Sequence, residues 1–437
     1  MPRPYAGYAI MRLAMANGND KDLRHNFIVN VLDGGFFGLG IGFASFVTII
    51  PLFVSQMTDS AILIGLIPAI HAMGWQLPQL LTVDHVTRLS RYKPTVVLMT
   101  LQERLPYLGL AAVAWFLPML HLQAALVITF LLLIWQGLGG GFTATAWQAM
   151  IGKIIPGRRV GIFFGVQSAA ANLFASGSAI AAGIFLQRFE TPVNFALCFL
   201  MTSIAMAVSW FFLASTREET TAPSPTASDA RPFWDRMGTI LKRDANFRWF
   251  LAARMLSQIG VMAFGFYTVY AVRHHGMDGW TAGLMTATLT ATQIVANPLM
   301  GWIGDHWGHR AAMALGALAA AGSALLAWLA PGIAWFYPAF VLAGIANVAA
   351  WTIAIAMTLE FSTGADRPAY IGLANTLIAP STILAPLFGG WLADTAGYHA
   401  MFLLSVIGGL ATALVFHAML GDPRQGHNAS PATTEIE

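Results

Sequence analysis

The sequence predicts an all-α integral membrane protein with twelve transmembrane helices in two pseudo-symmetric six-helix bundles and both termini in the cytoplasm. Three observations predict it. The 437 residues are 57% hydrophobic and 10% charged, whereas a soluble chain is about a quarter charged, so a fully hydrated surface is out of reach. Stretches free of Asp, Glu, Lys and Arg recur at membrane-spanning length. Landmark residues repeat at matched spacings in the two halves. Soluble enzyme folds are thereby excluded. The net charge of +3 implies no nucleic-acid partner, because the basic residues sort by membrane side. Cys198, alone in an apolar run, permits neither an intrachain disulfide nor a metal cluster and reads as a small buried hydrophobe.

A charged side chain near the bilayer centre costs at least about 2.5–3.5 kcal/mol, so charge-free gaps bound the spans. They run 34–58, 60–83, 105–152, 160–187 and 191–216, then 255–272, 279–304, 311–359, 368–393 and 395–421. A gap of roughly 25 residues holds one helix with its edges. The gaps 105–152 and 311–359 are twice that length and each hold a helical hairpin. The predicted spans are 27–54, 60–83, 94–118, 122–150, 161–186 and 194–214, then 247–271, 281–304, 311–330, 335–361, 370–392 and 400–419. They divide the chain into a cytoplasmic segment 1–26, a bundle 27–214, a linker 215–246, a bundle 247–419 and a cytoplasmic tail 420–437. With the amino terminus inside, 19 of the 23 basic residues fall in cytoplasmic segments, the bias that sets orientation. The exceptions are Arg188 and Arg273 outside and Arg104 and Arg254 within spans. The apolar run 5–16 is broken by Arg12 and lacks a small-residue cleavage pattern, so no signal peptide is expected.

The halves repeat. Asn26-Phe27 and Asn246-Phe247 open the first and seventh spans, and each span then carries a charge, Asp33 or Arg254. Asp33 to Asp84 and Arg254 to Asp305 are both 51 residues. Two similar bundles in parallel orientation follow. Between them, Ser215 to Pro232 is rich in Pro, Ser and Thr and is expected to be a flexible link. In the next segment Phe233, Trp234, Met237, Ile240 and Leu241 share one helix face, opposite Asp235, Arg236, Lys242 and Arg243. That pattern suits a helix in the cytoplasmic interface and equally a helix packed on a bundle. The sequon at Asn428 falls on the cytoplasmic side, where it would stay unglycosylated.

After the eighth span the chain reads Gly301-Trp302-Ile303-Gly304-Asp305-His306-Trp307-Gly308-His309-Arg310. The glycines permit a tight turn and close helix contact, and an acid at a helix end suits a cation or a helix amino terminus. This loop resembles the Gly-x-x-x-Asp-x-x-Gly-x-Arg signature of the major facilitator superfamily, at the place of its second copy. The first copy, Pro78 to Lys93, keeps Asp84, Arg88, Arg91 and Lys93 but lacks the glycines. The resemblance implies a cytoplasmic gate in which Asp84 faces the start of helix five near Arg158 and Arg159. Asp305, with Gly301, Gly308 and Arg310, would face the start of helix eleven near Arg367. Loops that only set topology are the plain alternative. Gln136-Gly137-Leu138-Gly139-Gly140 is similar to the family's Arg-x-x-Gln-Gly motif, with Leu133 where the arginine is expected. The resemblance associates that arginine with proton transfer, so its absence argues against standard proton antiport. The Gly-Pro exporter motif of helix five is missing. A similar kinked sequence, Ala385-Pro386-Leu387-Phe388-Gly389-Gly390, stands in helix eleven.

Ionisable residues inside the membrane are functional candidates by default. Here they are Asp33, Glu103, Arg104 and Arg254, with Glu360 at a helix edge. Asp33 and Arg104 are expected to pair. With Glu103 they form a cluster that either titrates during transport or statically holds helices together. The cavity that the resemblance implies would draw on Gln76, Gln136, Trp147, Gln148, Gln258, Gln293, Asn297, Asn347, Trp351 and Asn375, besides His71, Trp75, Gln79 and Asn172. Such a wall of amides and indoles suits a neutral or amphipathic molecule, although each amide alone is equally served by a neighbouring helix. No Gly-x-x-x-x-Gly-Lys-Ser/Thr loop, voltage-sensor repeat or hydrolase constellation stands out. The expectation is a multi-pass plasma (inner) membrane protein, not an enzyme. It would be a secondary transporter working as a monomer by alternating access, exporting a hydrophobic or amphipathic small molecule. No cofactor or metal is called for; the partners are the small-molecule substrate, the lipid bilayer, and protons or another coupling ion. Uptake of a neutral nutrient such as a sugar is the alternative, and a non-transporting receptor or scaffold is the third reading.

Overall fold

The structure is a computed structural model that describes residues 20–86, 89–220, 233–361 and 367–421, the side chains at 20, 80, 83–84, 157–162, 233–237, 359, 367–369 and 371–372 excepted. Among the described residues the regular structure is helical. A helix stands at each of the twelve predicted positions. In the first half they are α1 (Asp20–Phe43, resuming as Ile49–Val54), α2 (Ala61–Gln76, resuming as Pro78–Val86), α3 (Lys93–Arg104, resuming as Pro106–Phe116), α4 (Leu122–Ile154), α5 (Gly157–Arg188) and α6 (Val193–Ala214). The second half holds α7 (Ala245–Val261, resuming as Tyr267–His275), α8 (Gly279–Trp307), α9 (His309–Trp328), α10 (Phe336–Val348, resuming as Ala354–Glu360), α11 (Arg367–Ala396) and α12 (Tyr398–Ala418). Among the described residues ten segments are long and apolar enough to cross a membrane, and Ala61–Gln76 is a shorter apolar helix.

Five of these helices are interrupted where an unbroken span is expected. In α2 the break falls at Leu77, before Pro78. In α3 the cause is Pro106, which lacks the N–H that would continue the ladder. In α1 the chain leaves the helix over 44–48. A 3-10 turn, Met262–Phe266, divides α7, and a π-turn, Ala349–Ile353, divides α10. A charge gap cannot register such breaks, because they leave hydropathy unchanged.

Within the first half α1 packs on α5 and α6, α4 on α2 and α3, and α6 on α3. In the second α9 packs on α10 and α12, α7 on α11 and α12, and α8 on α10. Only small residues allow the closest approaches. Gly34, Gly38 and Gly42 recur one turn apart on α1, where a Cβ at Gly38 would strike the backbone oxygen of Ala171 on α5. The glycines after Gln136 serve likewise, Gly137 facing Gly74 of α2 and Gly139 the backbone of Gln102 and Glu103 on α3.

The repeat noted in the sequence has a structural counterpart. Asn26 donates through Nδ2 to the carbonyl of Arg217 (2.8 Å) and accepts from its N–H (2.8 Å). Asn246 does the same with Gly421, both at 2.9 Å. Each clasp joins the start of a half to its end, and we call the side that carries them the clasp face. Beside the second clasp, helix Phe233–Arg243 packs on α7 and α11 and buries Ile240 there.

The start of the link after α6 departs from expectation, because residues 215–218 are bonded to the first half, while 221–232 lie outside the described residues. The Glu218 carboxylate accepts from the backbone N–H of Tyr92 (2.9 Å) and Lys93 (2.7 Å) and from Lys153 Nζ (2.8 Å). Composition could not anticipate this, since one buried acid outweighs several linker-type neighbours. Burial alone would raise the Glu218 pKa, but the Lys153 ammonium and the two backbone N–H groups outweigh it and hold the carboxyl below its ordinary value. A depressed carboxyl stabilises the fold above its unfolded pKa, and that contribution is lost as pH falls through the folded value. Acidification below about pH 4.3, the ordinary glutamate value, is therefore expected to release the segment to protease. Glu218→Gln should expose it at neutral pH at a cost of about 1–3 kcal/mol. Limited proteolysis across a pH series checks both; equal protection of variant and parent at neutral pH would count against the latch.

Candidate functional site

Between the halves lies a cavity of about 460 Å³. The breaks in α1 and α7 line it, with Ser45, Phe46 and Val47 from one and Met262, Phe264 and Gly265 from the other. Interrupted helices leave backbone groups free, and in a membrane those are tolerated only against protein or a water-filled cavity. The π-turn of α10 adds Ala350 and Trp351; such turns occur frequently at functional sites. Of the residues expected here, Gln76, Gln258, Gln293, Asn347 and Trp351 line the cavity, as do His71 and Asn172. Arg254, from the charged candidates, joins them.

The remaining candidates sit elsewhere. Gln136 is buried behind the wall, its Oε1 3.0 Å from His71 Nδ1, while the His71 ring stacks on Phe46 at 4.0 Å. Trp147 packs edge-on against Phe164 toward the clasp face, and Gln148 is exposed. Asn297 donates to the Gln293 carbonyl (2.8 Å) and accepts from Thr352 (2.8 Å), and Asn375 is half-buried outside the lining. Of these, Gln136 and Asn297 are bonded to neighbouring helices, through His71 and Thr352. Conversely, Ser45, Thr286, Thr290 and Thr382 line the cavity without having been expected. Threonines bond to their own helix carbonyls, as Thr290 does to Thr286 (3.0 Å), so they read as spacers. The available signal was the alternation Thr286, Thr288, Thr290, Thr292 on α8.

Asp33, Glu103 and Arg104 come together, but beside the cavity rather than in it. Arg104 Nη2 lies 3.1 Å from Asp33 Oδ1 and donates to Ser209 Oγ (2.8 Å), which in turn donates to Asp33 Oδ1 (2.6 Å). Glu103 approaches Arg104 at 4.0 Å. The cluster therefore bridges α1, α3 and α6. Phe37 is its link to the cavity: the ring lines the wall and lies 5.5 Å from the Arg104 guanidinium carbon. Among the described residues no group of three His, Cys, Asp or Glu side chains could hold a metal ion.

Opposite the clasp face, hydrogen bonds tie the halves together. The Asp394 carboxylate of α11 accepts from the N–H groups of Ala61 (2.9 Å) and Ile62 (3.3 Å), capping the start of α2. Arg273 meets Asp59 at 3.0 Å. Deeper in, Thr48 bonds Thr286, and Ser176 lies 2.7 Å from Thr290. Where α5 crosses α8, Gly183 and Gly283 bring the backbones into contact. On the clasp side of the cavity the halves meet through Trp75 and Trp351, edge to face at 5.7 Å.

The Major Facilitator Superfamily matches residues 104–285 and 250–436. The chain belongs to this family. As a major facilitator protein it is similar to the mouse vesicular acetylcholine transporter, 29% identical over 139 residues, 32% of this chain and 25% of that one. It is also similar to multidrug resistance protein 2 of Bacillus subtilis (strain 168), 25% identical over 132 residues, 30% and 33% of the two chains. The matches thus span a quarter to a third of those relatives. A solved D-xylose–proton symporter shares the fold at a TM-score of 0.67 and 16% identity, over 92% of this chain and 99% of that chain.

In this major facilitator chain the signature after α8 does several separate jobs. Gly308, at φ +92°, makes the turn into α9. Gly301 faces open space, so the close contact expected there is made by Gly304 instead, against the His309 ring. Arg310 donates to the carbonyl of Leu420 (2.6 Å), tying α9 to the end of α12, and His309 Nδ1 lies 2.7 Å from Glu360. Asp305 is exposed in the last turn of α8. Arg88 and the side chains of Asp84, Arg158, Arg159 and Arg367 lie outside the described residues. One acid was overlooked. Gly390-Trp391-Leu392-Ala393-Asp394-Thr395-Ala396-Gly397 has the spacing of Gly301 through Gly308, and Asp394 is the acid that caps a helix across the halves.

Proposed function

We propose that this major facilitator protein is a secondary transporter that exports a hydrophobic or amphipathic small molecule by alternating access, from an inner membrane with both termini cytoplasmic. The observation that carries this reading is the cavity between the halves. Its wall is largely apolar and amide, its boundary is set by broken helices, and one end is tied shut by Asp394 and Arg273. With the clasp face cytoplasmic, as the placement of the basic residues supports, the end tied by Asp394 and Arg273 is external. The relatives named for multidrug resistance and for vesicular acetylcholine transport support a transport reading.

The Asp33–Arg104 cluster is in this reading a brace between helices, and α1, α3 and α6 are its anchors. The gate role of Asp84, Asp305 and Arg367 belongs to the conformer closed at the clasp face.

Everted vesicles carrying the protein and energised by an ion gradient are expected to accumulate the neutral amphiphile N-phenyl-1-naphthylamine above vesicles lacking it. Movement toward the cytoplasmic face instead would overturn the export reading. Repeating the assay at two external pH values identifies whether protons are the coupling ion.

A further inference from the structure

Arg254 is buried in the cavity wall at 7% exposure. It stands on α7 one turn after Phe250, whose ring lies 5.8 Å from the guanidinium carbon, and one turn before Gln258. Its side chain makes no hydrogen bond or ion pair with the described residues. Arg104, buried to the same degree, is by contrast held by Asp33 and Ser209. Among the described residues no carboxylate lines the cavity, so among them Arg254 is its one formally charged side chain, and His71, already engaged with Gln136, is the other titratable group in the wall. A guanidinium carries five N–H donors, and burying a cation without acceptors is strongly disfavoured. Whatever displaces water from this cavity must supply those acceptors or leave the charge uncompensated.

We propose that Arg254 is the anion-binding point of the cavity and that the transported molecule is an amphipathic monoanion, its acid head on the guanidinium and its apolar body against Phe46, Phe264 and Pro386. One cation matched by one negative charge leaves the filled cavity neutral. A second negative charge would be unpaired in an apolar wall, and a cationic amphiphile would meet Arg254 with like charge. A carboxylate is the best geometric match, because two of its oxygens accept from the planar fork at once. Gln258 and Gln293 offer further amide donors. The inference rests on the cavity being the transport site for amphiphiles.

The test uses the full chain in lipid nanodiscs and three probes of similar shape: 1-naphthylacetate, 2-(1-naphthyl)ethanol and 2-(1-naphthyl)ethylammonium. Calorimetric titration is expected to give the acid a Kd about ten-fold below that of the alcohol, a gap of about 1.4 kcal/mol, with the ammonium weakest. In Arg254→Gln the acid should fall to the level of the alcohol; in Arg254→Lys it should keep part of its advantage. An acid that binds no tighter than the alcohol in the parent, or that keeps its advantage in the glutamine variant, overturns the assignment. Should the glutamine variant fail to fold, the parent's ranking and the lysine variant decide. Binding of the alcohol or ammonium without the acid would sink the anion assignment alone and leave the amphiphile reading standing. Binding of none of the three would sink both.

Discussion

Arg104→Gln should destabilise the first half by about 3–5 kcal/mol, the range for removing one partner of a buried ion pair. The Asp33 carboxylate would be left between α1, α3 and α6 with Ser209 as its one remaining hydrogen-bond donor among the described residues. The double variant Asp33→Asn/Arg104→Gln should recover most of the loss, because it removes both charges and keeps hydrogen-bonding groups of similar shape. Thermal melting of the purified protein reads this directly, and a single variant as stable as the parent would show that the pair is not desolvated. Transport separates a brace from a coupling site. Asp33→Asn and Glu103→Gln are expected to leave the pH profile of transport in place, since the cluster reaches the cavity only through the face of Phe37. A flattened profile in either variant would make the cluster part of the transport chemistry.

Gly283→Leu is the second large effect. A Cβ at this position would stand 2.5 Å from the Ala179 carbonyl oxygen and 2.6 Å from Gly183 Cα. Both are backbone atoms of α5, so the neighbour cannot rotate away and the two helices must part. The crossing lies on the side tied by Asp394 and Arg273, so the substitution should disfavour the conformer closed there. A cysteine at Thr290 in the cavity wall is the reporter. Cys198 is buried and leaves the background low. Labelling of that cysteine from the external side by an impermeant thiol reagent should rise by about ten-fold or more, equivalent to about 1.4 kcal/mol in the conformational equilibrium, and substrate flux should fall with it. Unchanged labelling would mean that the crossing tolerates separation without opening the cavity.

The charge-free intervals located the helices well because insertion energy depends on composition along the chain, and composition is what a sequence displays. They were blind to the breaks at 44–48 and 262–266, because a change of backbone hydrogen bonding inside an apolar run alters no hydropathy. The cavity sits at those breaks, so the site was harder to read than the fold. A buried amide needs a partner, and Gln258 and Gln293, enlisted on that ground, line the cavity. The same rule enlisted Gln136 and Asn297, which lie outside the lining and bond His71 of α2 and Thr352 of α10. The pairing of charges was legible for Arg104, which had an acid in reach on a neighbouring helix. For Arg254 the informative fact is the lack of an acid among the described residues of the wall, and that emerges only when the wall is assembled in space.

The two asparagine clasps also bear on how such a chain could arise. Because Asn26 holds Arg217 and Asn246 holds Gly421, each half brings its own beginning and end to one spot on one side of the membrane. A unit whose ends meet can be joined in tandem to a copy of itself by a short connector, without reversing its orientation or threading a strand back through the bilayer. Duplication and fusion of such a unit would require no new crossing segment, because its paired ends already make the junction available.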